Sequence, residues 1–211
     1  MLMYSRTLSL RGPLEETATW AAEVTAHVNA TTNLDVGCWL GLYGLPLGSM
    51  GWSAVVEGHA HVAEQGAILG ADKAFQALVN SAADWVTEPG QDHLRNVISG
   101  ARTDGERPAV GAVAQLTTAV VALGRVGEAM AWGVDIAEYT AELSGAPVMF
   151  CADLYGTFGS VAWISVVDDL ATVDRTQAAI NGDEGYLKRI SMGADLFVPA
   201  SGNTSLLTRI A

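Results

Sequence analysis

Positive charge is in short supply in this sequence. Of 211 residues only 11 are Lys or Arg, against 23 Asp or Glu, for a net charge of −12; Lys73 and Lys188 are its lysines. A nucleic-acid surface needs a patch of cations to neutralise phosphates, and no such patch is present, so a nucleic-acid partner is not expected. The same shortage disfavours an anionic membrane. Cysteine is scarcer still. Cys38 and Cys151 are too few for a disulfide framework, which predicts two free thiols and a reducing, cytoplasmic compartment. No apolar run reaches the length of a membrane span. Met1 to Arg6 lacks the basic-then-apolar order of a secretory signal. No phosphate-binding loop, G-x-G-x-x-G, nucleophile elbow or C-x-x-C occurs, so nucleotide, serine-hydrolase and zinc-finger chemistry have no support.

What the chain does have is itself, twice. Leu42-Tyr43-Gly44 and Gly48-Ser49-Met50-Gly51-Trp52-Ser53 are answered by Leu154-Tyr155-Gly156 and Gly159-Ser160-Val161-Ala162-Trp163-Ile164. Trp20 precedes Tyr43 by 23 positions, and Trp132 precedes Tyr155 by 23. Asp72-x-x-Phe75 answers Asp183-x-x-Tyr186, and Leu94 to Ile98 answers Leu206 to Ile210. This is a tandem duplication of a domain-sized unit: a first repeat over 1–100, a Gly/Pro-containing polar linker over 101–112, and a second repeat over 113–211.

Period-two alternation predicts a strand over Tyr4–Leu10. Pro13 then suits the first turn of a helix running through Ala30. Strands follow over Val36–Tyr43 and Met50–Glu57, then one long helix from Val62 to about Asp84, then a short strand over His93–Ile98. The second repeat has the same order, with helices near Val126–Ser144 and Leu170–Met192. The order β-α-β-β-α-β is the ferredoxin-like unit. Gly44, Gly48, Gly156 and Gly159 fit turns that require unusual backbone angles. Trp52 with Tyr43, and Trp163 with Tyr155, are placed to pack across a hairpin.

Residues that differ between the repeats are the first candidates for a site. On the first helix Trp20, Glu23 and His27 share one face. Glu23 and His27 are either a helix-surface pair or an acid–base couple able to act as general base. Their mates are Asp135 and Tyr139. His59 and His61 follow Glu57 in an H-x-H spacing that suits a metal, or simply a polar strand-to-helix junction; their mates, Leu170 and Thr172, bind none, and no metal site is assigned. Arg6 is a cation among apolar neighbours on the first strand, either an anchor for a ligand oxygen or the partner of an acid.

A four-stranded sheet with both helices on one face must have its bare face covered, and a second identical unit is the obvious cover. At this level the chain resembles the dimeric α+β barrel superfamily, which includes antibiotic-biosynthesis monooxygenases, heme-degrading monooxygenases, NIPSNAP-like proteins and chlorite dismutases. The resemblance implies an α+β fold of two ferredoxin-like units closed into one barrel about a pseudo-twofold. It does not carry heme over: the first strand has no Asn for the heme-degrading constellation, and no histidine follows His93 to ligate one. Cofactor-independent oxygenases of aromatic polyketides, in which Trp, Tyr, Asn and Arg hold a phenolic substrate, fit better. The resemblance implies an oxygenase or cyclase acting on a hydrophobic aromatic metabolite, with Trp20, Trp39, Tyr43 and Trp52 as walls, Arg6 as anchor, and His27 with Glu23 as base. The rival expectation is a non-catalytic binding or assembly protein. A homo-oligomer is left open.

Overall fold

The computed structural model describes residues 1–101 and 107–211. The first half runs β1 (Leu2–Ser9), α1 (Leu14–Thr31), β2 (Gly37–Tyr43), β3 (Ser49–Val56), α2 (His59–Ala71), α3 (Lys73–Ser81) and β4 (Gln91–Ser99). The second repeats that order as β5 (Val113–Val120), α4 (Val126–Ser144), β6 (Val148–Asp153), β7 (Ser160–Val167), α5 (Leu170–Gly182), α6 (Glu184–Gly193), a short 3-10 turn and β8 (Asn203–Arg209). Among the described residues this is a mixed α+β fold of eight strands and six helices.

The sequence pattern predicts four helices, and two of them are split. Asp72 accepts hydrogen bonds from Ala74 N and Phe75 N, and Asp183 from Tyr186 N. A carboxylate that caps a new helix ends the one before it, so 62–84 becomes α2 and α3, and 170–192 becomes α5 and α6. Pro13 precedes α1, whose first turn carries Glu15 and Glu16 where the helix dipole favours negative charge.

All strand pairings are antiparallel and the sheet closes in the order β1-β3-β2-β8-β5-β7-β6-β4. Two seams join the halves, β2 with β8 and β4 with β6, and each contains a register shift. Helices cover the outside. Alternate residues of each strand face the helices, and the others face the lumen. On the outer side two apolar clusters form, one around Trp20, Ala21, Cys38, Met50 and Trp52, the other around Ala129, Ala137, Phe150 and Val161. They compensate internally: Ala21 and Cys38 hold the places that Gly133 and Phe150 hold in the second half, a larger helix residue over a smaller strand residue exchanged for the reverse.

Gly44, Gly48, Gly156 and Gly159 all have positive φ, between 75° and 92°, as their turns require. At Gly48 a Cβ would stand 2.2 Å from Leu10 O. Of the expected linker, residues 102–106 lie outside the described residues; beyond them Arg107 pairs with Asp35 at 2.5 Å, and Gly111 N donates to Arg209 O. Cys38 and Cys151 are unpaired and buried. Among the described residues no helix is long and apolar enough to cross a membrane.

Candidate functional site

Trp20 and Trp52 are brought together on the helix-facing side of the first half, ring centroids 6.1 Å apart and nearly perpendicular, with Trp85 6.5 Å from Trp20. Each indole N–H is already engaged: Trp20 donates to Leu78 O at 2.8 Å and Trp52 to Thr25 Oγ1 at 3.0 Å. The second half does the same with Trp132, which donates to Arg189 O, and Trp163, which donates to Gly133 O; their rings are 5.8 Å apart. These tryptophans fasten helices to the sheet, burying large apolar rings while satisfying the polar tip.

Arg6 lies directly across from Trp52 in the β1–β3 register, on the same face. Its guanidinium holds both oxygens of Asp92, on β4, at 2.7 Å each. A fork-to-fork pair of this kind fixes direction as well as charge. Both side chains are about half exposed, Arg6 at 51% and Asp92 at 46%. Tyr4 completes the group. Burial pushes its hydroxyl up to about 12, opposed by the Arg6 charge and reinforced by Asp92. The Arg6 hydrogen bond holds Asp92 below the usual carboxylate range. In the second half the matching places hold Gln115, Thr117 and Thr204: Thr117 faces Trp163 in register and its hydroxyl meets that of Thr204 at 3.0 Å. The Tyr4–Arg6–Asp92 group therefore occurs in one half only. Sequence reasoning found Arg6 but missed Asp92, because a Pro-Gly turn at 89–90 made the residues before His93 read as loop.

The remaining candidates are dispersed. Trp39 turns to the opposite face of β2, its indole donating to Ser53 Oγ at 3.0 Å, across the seam from Arg209. Tyr43 ends β2 and is 71% exposed. It does not stack on Trp52, whose partners in register are Cys38 and Arg6; nor does Tyr155 stack on Trp163, its hydroxyl meeting His59 Nε2 at 2.9 Å. His27 pairs not with Glu23 but with Asp72, Nε2 to Oδ2 at 2.8 Å. The mate of His27, Tyr139, donates to Asp183 Oδ1 at 2.9 Å, so in each half a group on the long helix ties down the aspartate that caps the last one. Glu23 instead lines an open groove with Trp20, Trp85, Glu15 and Glu16. His61 Nδ1 accepts from Glu57 N, a strand-to-helix junction contact. No group of three or more metal-type ligands occurs among the described residues.

No protein-family model and no curated protein matches the sequence. Solved structures do match in shape. A candidate monooxygenase from Fusobacterium nucleatum superposes with a TM-score of 0.77 at 10% identity, over 100% of this chain and 92% of that one. A candidate monooxygenase from Lactobacillus acidophilus gives 0.68 at 12% identity, over 100% and 94%. The fold is the dimeric α+β barrel. A protein described as anthrone oxidase-like shares this barrel too, with a TM-score of 0.66 at 14% identity over 98% and 91% of the two chains. Identities this low carry the barrel architecture and nothing finer, so the chemistry of this α+β barrel must be argued from its own residues.

Proposed function

We propose that the chain is a small-molecule enzyme, a cofactor-independent oxygenase or cyclase that acts on a hydrophobic aromatic metabolite at one site, over the helix-facing side of the first four strands. The observation that carries this is the Tyr4–Arg6–Asp92 group beside Trp52, present in the first half and replaced by Gln115, Thr117 and Thr204 in the second. Arg6 anchors a phenolate or carbonyl oxygen, and Trp52 with Trp20 walls the ring. An electron-rich substrate, once deprotonated, reacts with O₂ without an external reductant: a ring CH₂ and O₂ become C=O and H₂O. Trp39 and Tyr43 lie apart from Arg6 and have no part in this reading. Asp72 replaces Glu23 as the carboxylate beside His27, and the matching Tyr139–Asp183 bond favours a holding role for His27 over a base. We further propose that residues 1–100 and 113–211 are ferredoxin-like units related by a pseudo-twofold, with 101–112 as linker; the paired tryptophan, aspartate and turn contacts support it.

The test is oxygen uptake with a hydroxylated anthrone as probe. Arg6→Ala is expected to lower kcat/KM by about 10²-fold, the order of one lost charge-stabilising donor, and Thr117→Ala to leave it unchanged. The non-catalytic reading is favoured by a specific observation of its own: the indoles of Trp20, Trp52, Trp132 and Trp163 are all satisfied by protein acceptors, and the depressions beside Trp20 and Phe75 are open grooves. Saturable anthrone binding with no oxygen uptake would select it.

A further inference from the structure

Leu94 packs into the helix-side core, so its neighbours on β4, His93 and Arg95, face the barrel lumen. There Arg95 meets Asp153 of β6, Nε to Oδ1 at 2.7 Å, with both side chains only 4% exposed. The approach is close but poorly aligned for a hydrogen bond, and both atoms keep unused capacity. Arg95 Nη1 donates to Ser5 Oγ at 3.0 Å, and His93 Nδ1 lies 3.3 Å from Asp153 Oδ2. Burial alone would raise the Asp153 carboxyl, but the His93 and Ser160 hydrogen bonds and the Arg95 charge outweigh it and hold it below its ordinary range.

Barrel closure does not require this cluster. At the other seam Leu207 faces Gly41 where Arg95 faces Asp153, and that place in the seam closes without an ion pair, the buried Arg209 lying two residues further along β8. A buried ion pair is also a poor stabiliser compared with an apolar pair of the same volume. Its arrangement is the one that orients an imidazole. The anionic carboxylate behind the ring places the proton on Nδ1, and Nε2 keeps its lone pair; this tautomer follows from the hydrogen-bond network. The His93 side chain is 34% exposed against 4% for Asp153, an accessible acceptor backed by a buried orienter.

We propose that His93 and Asp153, on the lumen side of β4 and β6, form a second small-molecule site, separate from the Arg6 face, that binds a neutral hydroxylated ligand through its O–H donated to His93 Nε2. A neutral O–H donor is the ligand class, because what the site offers is the Nε2 lone pair, an acceptor.

The experiment is a titration of the ¹⁵N-histidine-labelled protein with phenol, followed at the imidazole nitrogens by NMR. Before phenol, the neutral His93 ring is expected to carry its proton on Nδ1, facing Asp153; with phenol, the Nε2 resonance should shift saturably. His93→Ala is expected to weaken phenol binding about tenfold or more, the worth of one hydrogen bond to a polar partner, and Arg6→Ala to leave the His93 shift in place. A proton on Nε2 in the free protein, or no saturable shift at His93, overturns the proposal. So does phenol binding that His93→Ala leaves intact and Arg6→Ala abolishes, which would at the same time support the Arg6 site. Asp153→Asn is not the deciding variant, since it leaves Arg95 buried beside a neutral group and threatens the fold.

Discussion

Gly133 and Phe150 illustrate what a single residue decides here. A Cβ at Gly133 would stand 2.3 Å from the Phe150 ring, so the helix can lie on β6 only because that position has no side chain. Gly133→Ala is expected to destabilise the protein by about 1–3 kcal/mol, as overpacking does, despite the helix propensity it gains. A urea unfolding curve checks this. Ala21 fills the equivalent place over the smaller Cys38 and is fully buried. The cysteines give a second residue-scale prediction. Burial pushes the Cys38 thiol up to about 11 and the Cys151 thiol up to about 12, and the thiolate is the reactive form. At pH 8 the native protein should react very slowly with a thiol reagent, and the denatured, unreduced protein should show two groups. Rapid native labelling, or fewer than two groups on denaturation, contradicts it.

At the scale of elements, the cap aspartates join two helices and a clasp. Asp72→Ala removes the cap of α3 and the His27 bond together; Asp183→Ala does the same to α6 and Tyr139. Both should lower the urea midpoint by more than His27→Ala or Tyr139→Phe, which remove the clasp alone. If His27→Ala abolishes turnover while Tyr139→Phe is neutral, the holding role is wrong and His27 is a base. These aspartates also show where the sequence was legible. The first strand was plain in its period-two alternation, and the matched Asp-x-x-aromatic stretches were visible as a repeat. Their capping function was not visible, because Gly66, Gly70 and a continuous apolar pattern read as one weakened helix. Arg6 stood out as a lone cation, yet its partner lies 86 positions away, and only the β1–β4 register brings them together. Trp39 was grouped with Trp52 by residue type, whereas strand alternation sends the two to opposite faces. Gln91 and Asp92 read as loop because the Pro-Gly turn before them hides where β4 begins.

For the whole molecule, the excess of acid sets the response to pH. Asp72 is held low first by His27, Asp92 by Arg6 and Asp183 by the Tyr186 N–H; Asp153 is held low although burial opposes it. A carboxylate whose folded value is depressed stabilises the fold above its unfolded value, about 3.9 for Asp, and that contribution is lost as pH falls through the folded value. The urea midpoint should therefore stay level down to about pH 5 and drop below about pH 4. Asp92→Asn should flatten part of that drop, and a midpoint independent of pH over this range would contradict the assignment of these pairs.

The claim that organises this account is that one half of the barrel carries the working site. Its most direct measurement is the crystal structure of the protein with a hydroxylated anthrone bound. The account predicts ligand density on the helix-facing side of the first half, with a ligand oxygen within hydrogen-bonding distance of Arg6 and the ring against Trp52, and none over Thr117 and Trp163. Density confined to the second half, or bound ligand with no contact to Arg6, would contradict it.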